Sequence, residues 1–517
     1  MTFTRRHFLL SLAATAGPQA AWSALRAWDL ADPAPPAEGH AIALAPGRRA
    51  RVLVVGAGIA GLVAAHELRR ADYDVTVVEA SPRLGGRNLT VRHGSTVPYQ
   101  DGTQHTATFD DGQYFNAGPA RLPGHHKTIL GYCRDFGVEL EVLVNSSRGA
   151  LYGPARAAGG NPVQLRQVVN DSRGYIAEWL AKSTRRGALD AELGPDDRAR
   201  LLDLLKVYGD LSPEFRYTGS SRAGYAVPPG AEQASGVLHR PLDVATLLNP
   251  DLWRTLEVDE AYEWQATMLQ PVGGMDRLVD AFARRLGDCI RLGVEAEAVL
   301  NTPDGVVLHA RTATGVRETL EADHMVLTAP MPVVRGLRNN FSDDFRDALR
   351  GIDFVPANKI AWQSPRFWET DHQIYGGISY IEHDVQLVWY PSHGFHRPTG
   401  ILLGCYNEGD VAAAFARQPL PAQLAASRAA VERLHRGSGG GLSHPFAIAW
   451  HQARHSRGAW AGWTESTARH YPLLIRPQGR IHLAGDQVSH LPGWQEGAAL
   501  SALRAVRAIG AHAPRAT

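Results

Sequence analysis

Arg51-Val52-Leu53-Val54-Val55 runs without a break into Gly56-Ala57-Gly58-Ile59-Ala60-Gly61, then into Leu62 to Arg70. Val52 to Val55 is a short continuous apolar run, as expected of a strand buried on both faces of a parallel sheet. Leu62 to Arg70 reads as a helix, and Val75-Thr76-Val77-Val78 as a second strand ending in Glu79, eighteen residues beyond Gly61. Each glycine has a task in such a unit. Gly56 permits the tight turn, Gly58 lets backbone approach a pyrophosphate, and Gly61 lets helix and strand pack closely. The helix N-terminus, with Ala60 in it, faces a diphosphate, while Glu79, followed by Ala80, can accept both hydroxyls of a ribose. A lone Gly-x-Gly-x-x-Gly says little; strand, helix, second strand and terminal acid in register specify a dinucleotide site.

Just past the second strand, Arg83-Leu84-Gly85-Gly86-Arg87 adds another phosphate-facing feature that nicotinamide-binding folds do not need. Together these segments resemble the FAD-binding N-terminus of the flavin amine oxidase superfamily. The resemblance implies that the cofactor is FAD, with Arg83, Gly86 and Arg87 near its pyrophosphate and flavin. It also implies an α/β fold: a discontinuous Rossmann-type FAD-binding domain, an α+β substrate-binding domain and a helical cap.

The far end of the chain points to the same site. Arg480-Ile481-His482-Leu483-Ala484 is a short buried strand stopping at Gly485-Asp486, and Pro492-Gly493-Trp494-Gln495 opens a helix to about Ile509. A glycine-acid turn near a helix start can bond ribityl hydroxyls and aim N–H groups at a flavin. Order and spacing resemble the superfamily's C-terminal flavin motif, which places Gly485, Asp486, Gly493 and Trp494 at the cofactor. Gln270 to Leu278 resembles a further family segment, so the sheet is expected to be assembled from three separated stretches. The resemblance spans most of residues 50–510.

Substrate class turns on Tyr114-Phe115-Asn116-Ala117-Gly118-Pro119-Ala120-Arg121-Leu122-Pro123, which resembles the segment of L-amino-acid oxidases where arginine follows Gly-Pro-x. The resemblance sets Gly118, Pro119 and Ala120 beside the cofactor and gives Arg121 the substrate carboxylate, which a planar guanidinium matches through two parallel hydrogen bonds. An amine substrate would leave that arginine buried and unpaired, which is costly. A structural ion pair near the flavin is the other reading of Arg121. Tyr375-Gly376-Gly377 and Val388-Trp389-Tyr390-Pro391 follow in the family's order, which implies that the Tyr390 hydroxyl meets the same carboxylate. Strand composition alone fits equally a half-buried sheet tyrosine. Trp460 stands where covalent monoamine oxidases carry a flavin-bonding cysteine, which makes the expected FAD non-covalent. One aromatic wall of the amine oxidases becomes Ala461, while the other survives as Trp494. Trp460 and Trp494 then bound the side-chain pocket, although tryptophans also serve as plain core.

The reaction implied is transfer of the α-hydrogen as hydride to flavin N5, hydrolysis of the imino acid to a 2-oxo acid and ammonia, and reoxidation by O₂ to H₂O₂. Clamping the carboxylate aims the Cα–H bond, a positioning effect. Should an acid–base group be required, the middle segment offers His239, Glu263 and Gln265. The family lysine that holds a water against N5 is expected in Gly336-Leu337-Arg338-Asn339-Asn340-Phe341, where none stands; Arg338 is a poor substitute because a guanidinium does not deprotonate. An amino-acid dehydrogenase using another acceptor, an amino-acid 2-monooxygenase, an amine oxidase and a flavin-carrying binding protein therefore stay open. Arg121 and Ala461 oppose the amine oxidase.

The whole chain agrees with a folded enzyme. Its 517 residues are 44% hydrophobic and 20% charged, with 53 Lys+Arg against 52 Asp+Glu. The near-zero charge without a basic block argues against nucleic acid. Cys133, Cys289 and Cys405 form no CxxC pair, which excludes a disulfide scaffold or zinc ribbon, and no metal is expected. Thr4-Arg5-Arg6-His7-Phe8-Leu9-Leu10 leads into an apolar stretch too short to span a bilayer, so no stable membrane anchor is expected. It resembles a twin-arginine export signal, which implies contact with that export machinery and a periplasmic or secreted folded protein. The expected divisions are signal and linker at 1–47, FAD-binding parts at 48–124, 266–330 and 451–517, a helical cap at 125–265 and a substrate-binding region at 331–450. Oligomeric state is open, a homodimer included.

Overall fold

The computed structural model describes residues 50–153, 160–232 and 235–512. The paired arginines and their linker lie outside these residues. Strand β1 (Arg51–Val55), helix α1 (Ile59–Arg70) and strand β2 (Asp74–Glu79) form the βαβ unit expected from the sequence. Three more strands complete the sheet: β3 (Ile290–Leu292), β4 (His324–Leu327) and β5 (Ile481–Leu483). The order is β3-β2-β1-β4-β5 and all neighbours are parallel.

The unbroken apolar runs follow from this arrangement, because each face of the sheet is covered. Val52, Val54, Val77 and Val326 pack against Leu62 and Val63 of α1 and against Leu503 of the C-terminal helix α2 (Gln495–His512). Leu53, Val55, Met325 and Leu327 pack on the other side against Val299 and Leu308, from the four-stranded sheet that covers this face. Gly61 is where α1 crosses closest to the turn. A Cβ there would stand 1.9 Å from the Gly56 carbonyl oxygen, so any side chain would force the helix off the strand.

A second, seven-stranded sheet has the order 163–164, 151–153, 377–381, 387–390, 399–408, 357–365, 443–449. Its central strands, Ala357–Pro365 and Thr399–Glu408, are almost wholly buried. Helices Leu165–Arg185 and Pro195–Gly209 pack through Ala177, Ala181 and Leu205. The second starts with proline, followed by Asp196 and Asp197 in its first turn, both favourable at a helix N-terminus. Within 125–265, expected to be a helical cap, Ala226 and Val227 belong to a short strand, Tyr225–Val227, paired with Val237–Leu238.

Candidate active site

One cavity of about 910 Å³ runs from the β1–α1 turn to the edge of the second sheet. That volume lies near the upper end for a single-ligand pocket, at roughly 300–1,000 Å³. Gly56, Gly58 and Ala60 line one end, with Glu79 and Ala80 from the tip of β2. Gly58 caps α1 and no side chain bonds the helix's first N–H groups. A Cβ at Gly58 would have no protein atom nearer than 4.0 Å, so it would fill the cavity itself, at the point where a pyrophosphate needs bare backbone. Glu79 accepts the Ala57 N–H at 2.7 Å and the Ser81 N–H at 2.8 Å, which fixes the carboxylate at the cavity wall. Burial raises its pKa above the ordinary range, opposed by those N–H bonds and by Arg83. Cradle, helix terminus and acid fit a dinucleotide. Gly61 does not line the cavity; it serves the site through packing.

Arg83 and Gly86 line the next stretch, where the guanidinium donates to the Gly86 carbonyl at 2.7 Å. Arg87 and Asp486 join the two ends of the chain: Arg87 meets both carboxylate oxygens, one at 3.1 Å, and also donates to the Ala459 carbonyl. Asp486 takes the Gly493 N–H at 2.9 Å as well. Gly485, Asp486, Gly493 and Trp494 all face the cavity, and so does Trp460. Ala461, the next residue, is fully buried in the packing beneath. The second aromatic wall is therefore Trp460 itself.

Gly118, Pro119, Ala120 and Arg121 line the opposite end. The Arg121 guanidinium lies 3.7 Å from the Trp264 ring centroid, 4.7 Å from Trp389 and 5.6 Å from Trp494. It donates to the neutral Asn145 amide oxygen at 2.9 Å. Among the described residues no carboxylate lies within 4.0 Å of it, so the structural ion pair allowed by the sequence is not formed there. Burial lowers its pKa to about 10, opposed by Tyr406, Glu408 and Tyr380, which still leaves it cationic at neutral pH. A buried cation faced by rings and a neutral amide is chemically suited to receive an anion.

Tyr390 is not part of this receptor. Its hydroxyl bonds Ser379 and the His435 ring at 2.7 Å each, on the far side of the strand Leu387–Tyr390. Side chains alternate across a strand, and it is Trp389 that faces the cavity. The same cavity-facing side carries Lys359 and Tyr406, which pair in register on neighbouring strands. The sequence reading passed over Lys359. The available signal was a lone lysine within an apolar strand, Lys359-Ile360-Ala361-Trp362. Its ammonium donates to the Gly118 carbonyl at 2.7 Å, and burial, reinforced by Arg121, lowers its pKa to about 7. The cavity therefore does hold a lysine. Arg338 is exposed on a short strand and does not reach the cavity.

Of the three acid–base candidates, Glu263 lines the cavity and His239 and Gln265 do not. One Glu263 carboxylate oxygen lies 2.5 Å from His126 Nε2 and 3.0 Å from His125 Nε2, both hydrogen-bond distances whose donor is set by the ring tautomer. Burial would raise the Glu263 carboxyl, but these two histidines hold it below the ordinary value. The three groups could also surround a metal ion. Their spacing is that of hydrogen bonds, tighter than the roughly 3.3 Å between donors about 2.0–2.1 Å from a shared tetrahedral cation.

Comparison with known proteins follows the same lines. The family model for flavin containing amine oxidoreductases matches residues 59–510. The flavin-dependent L-tryptophan oxidase RebO of Lentzea aerocolonigenes is 29% identical, over 89% of this chain and 98% of the relative. The putative L-amino-acid oxidase YobN of Bacillus subtilis is 26% identical, over 88% and 93%. The L-amino-acid oxidase of Pseudechis australis is 25% identical, over 89% and 86%. Among solved structures, cyclohexylamine oxidase from Brevibacterium oxydans superposes with a TM-score of 0.61 at 17% identity, covering 90% of this chain and 100% of that one. Putrescine oxidase bound to putrescine gives 0.60 at 18%, over 90% and 99%. These two likenesses bear on the mixed α/β fold.

Proposed function

The chain belongs to the flavin-containing amine oxidoreductases, and from that premise we propose that it oxidises L-amino acids to 2-oxo acids, ammonia and H₂O₂. The observation that carries the reading is Arg121, a buried guanidinium without a carboxylate partner among the described residues, in the cavity that begins at the dinucleotide cradle. An amino acid brings the missing anion; a simple amine does not. The names of the relatives, L-tryptophan and L-amino-acid oxidases, support the same substrate class.

FAD is held non-covalently in this proposal: none of Cys133, Cys289 and Cys405 lines the cavity, so no thiol is at hand to bond the ring. Bound flavin supplies the two-electron acceptor for the α-hydrogen. The chain supplies the rest. Gly58 and the start of α1 hold the diphosphate, and Glu79 takes the ribose. Arg121 grips the carboxylate and so fixes the direction of the Cα–H bond. Trp264, Trp389, Trp460 and Trp494 enclose the side chain and exclude water, which suits apolar and aromatic amino acids. Lys359 places a titratable amine in the same cavity, beside Gly118, whose protonated form would stabilise the negative charge that O₂ reduction develops, which favours an oxidase over a dehydrogenase.

Anaerobic mixing of the purified yellow protein with panels of L-amino acids and amines tests the reading. Bleaching by amino acids and not by amines is expected, with peroxide and a 2-oxo acid formed once air is admitted. Bleaching by amines alone would replace it with an amine oxidase, and an amide product would replace it with a monooxygenase. The reading includes export of the folded chain through a twin-arginine route; fractionating cells that carry Arg5→Lys and Arg6→Lys together tests that, with retention in the cytoplasm expected.

A further inference from the structure

We propose that Glu263 takes the proton from the substrate's α-ammonium and that His125 passes it to solvent, so that the amine is neutral when the Cα–H bond breaks. The inference rests on the amino-acid reading above. An amino acid arrives as a zwitterion, and gripping its carboxylate leaves the ammonium protonated. While the nitrogen lone pair is tied up in an N–H bond it cannot assist departure of the α-hydrogen. A proton acceptor is therefore required near the carboxylate receptor.

Glu263 is placed for this task. Trp264 lies against Arg121 at 3.7 Å, and Glu263, the preceding residue, lines the same cavity. An α-ammonium is one carbon away from the carboxylate that Arg121 receives. Behind Glu263 lies a route outward. His126 is 2% exposed and bonded to the carboxylate, while the His125 side chain is 28% exposed and bonded to the same oxygen. The His125 ring packs 4.2 Å from Tyr262, itself on the surface. Other charged groups surround the route. Arg121 lies behind Trp264, and Asp259 and Glu260 precede Glu263 in its own loop. Glu496 of α2 accepts the Thr128 and Ile129 N–H groups at the start of the helix that follows His126. Lys359 and Glu408 face the same cavity.

In the step, an N–H bond of the ammonium breaks and an O–H bond forms on Glu263. His125 serves in the tautomer that carries its hydrogen on Nδ1: the O–H of protonated Glu263 donates to Nε2, the proton passes to Nε2, the Nδ1 proton leaves to water, and Glu263 is again a carboxylate. His126 is a positioning residue that holds the carboxylate in place. The two histidines favour the ionised form of Glu263, so a proton taken from the ammonium rests there only in passing before it moves on to His125.

The test is anaerobic stopped-flow reduction of the holoenzyme by one L-amino acid across pH 6–10, in wild type, Glu263→Gln, Glu263→Asp and His125→Ala. Loss of a general base costs about 10²–10⁴ in rate. Glu263→Gln should be slowed on that scale at pH 7, with a rate that climbs close to tenfold per pH unit until the free ammonium titrates. Glu263→Asp should recover part of the loss, and His125→Ala should fall between. Binding of a non-reactive carboxylate without an amine, read from the flavin spectrum, should be the same in wild type and Glu263→Gln. An unmoved pH profile in Glu263→Gln, or carboxylate binding that falls in step with rate, overturns the relay alone. Failure of every amino acid to reduce wild type removes the substrate reading and the relay with it.

Discussion

Replacing Arg121 by methionine removes the charge and keeps much of the side-chain volume among the tryptophans. In the wild type Arg121 is 9% exposed and its hydrogen-bonding partner is a neutral amide, so a substrate carboxylate would complete a buried ion pair. Breaking such a pair by deleting one partner costs about 3–5 kcal/mol. At 1.36 kcal/mol per tenfold, kcat/KM for amino acids should fall by roughly 10²–10⁴. Arg121→Lys keeps the charge and loses the planar fork, so its loss should be smaller yet well above tenfold. Stability should move differently. The ligand-free protein bears the desolvation cost of an uncompensated cation, set against ring contacts worth up to about 2 kcal/mol when desolvated. Arg121→Met should therefore melt close to or above wild type. Anaerobic reduction by amino acids, alongside calorimetry of the same samples, measures both. A loss in kcat/KM below tenfold, or a fall in activity matched by a collapse in melting temperature, would refute the assignment of Arg121 as the carboxylate receptor.

Tyr390→Phe should leave KM for amino acids within about twofold while costing 1–3 kcal/mol in denaturant unfolding, because Ser379 and His435 lose a buried partner. A large KM effect at full stability would return Tyr390 to the carboxylate. Lys359→Met should slow reoxidation by O₂ at least tenfold in double-mixing experiments and leave anaerobic reduction largely intact. Lys359 also carries a pH signature. Its folded pKa of about 7 lies below the ordinary 10.5, so between those values the unfolded chain binds more protons. The stability cost of burying Lys359 is fully present below pH 7 and is relieved as pH rises toward 10.5. Relative to wild type, Lys359→Met should gain most in melting temperature near pH 6.5 and progressively less toward pH 10; a constant difference would place Lys359 in a more solvated setting.

Much of the fold could be read in advance because its signals are local. Val52 to Glu79 holds two buried strands, a helix and the glycines between them within one short window, and β1, α1 and β2 form there. Arg121 was readable from a contiguous motif. What escaped depends on contacts between distant strands. Tyr390 and Trp389 are neighbours, and which of them meets the cavity is decided by the register of Leu387–Tyr390 against Thr399–Glu408, where the pairing shifts between Leu387 and Trp389. A lysine was sought just beyond β4, in Gly336 to Phe341, whereas the one in the cavity, Lys359, comes from another strand, Ala357–Pro365. Glu263 stood level with His239 and Gln265 because separation along the chain does not encode the meeting of Glu263 with His125 and His126.

Arg87 and Asp486 are 399 residues apart, and β5, the outer strand beside β4, comes from the same late segment as Asp486. During synthesis the glycine-rich turn is made early, but Arg87 has no carboxylate partner until the segment around Asp486, 399 residues later, has left the ribosome. Cofactor capture is then a terminal event in maturation rather than a nucleating one, since closing so long a loop must precede the contacts that reward it. A chain cut short before Ile481 would lack one wall of its own ligand site, and colour in the purified protein would thus report that synthesis had passed the segment from Gly485 to Trp494.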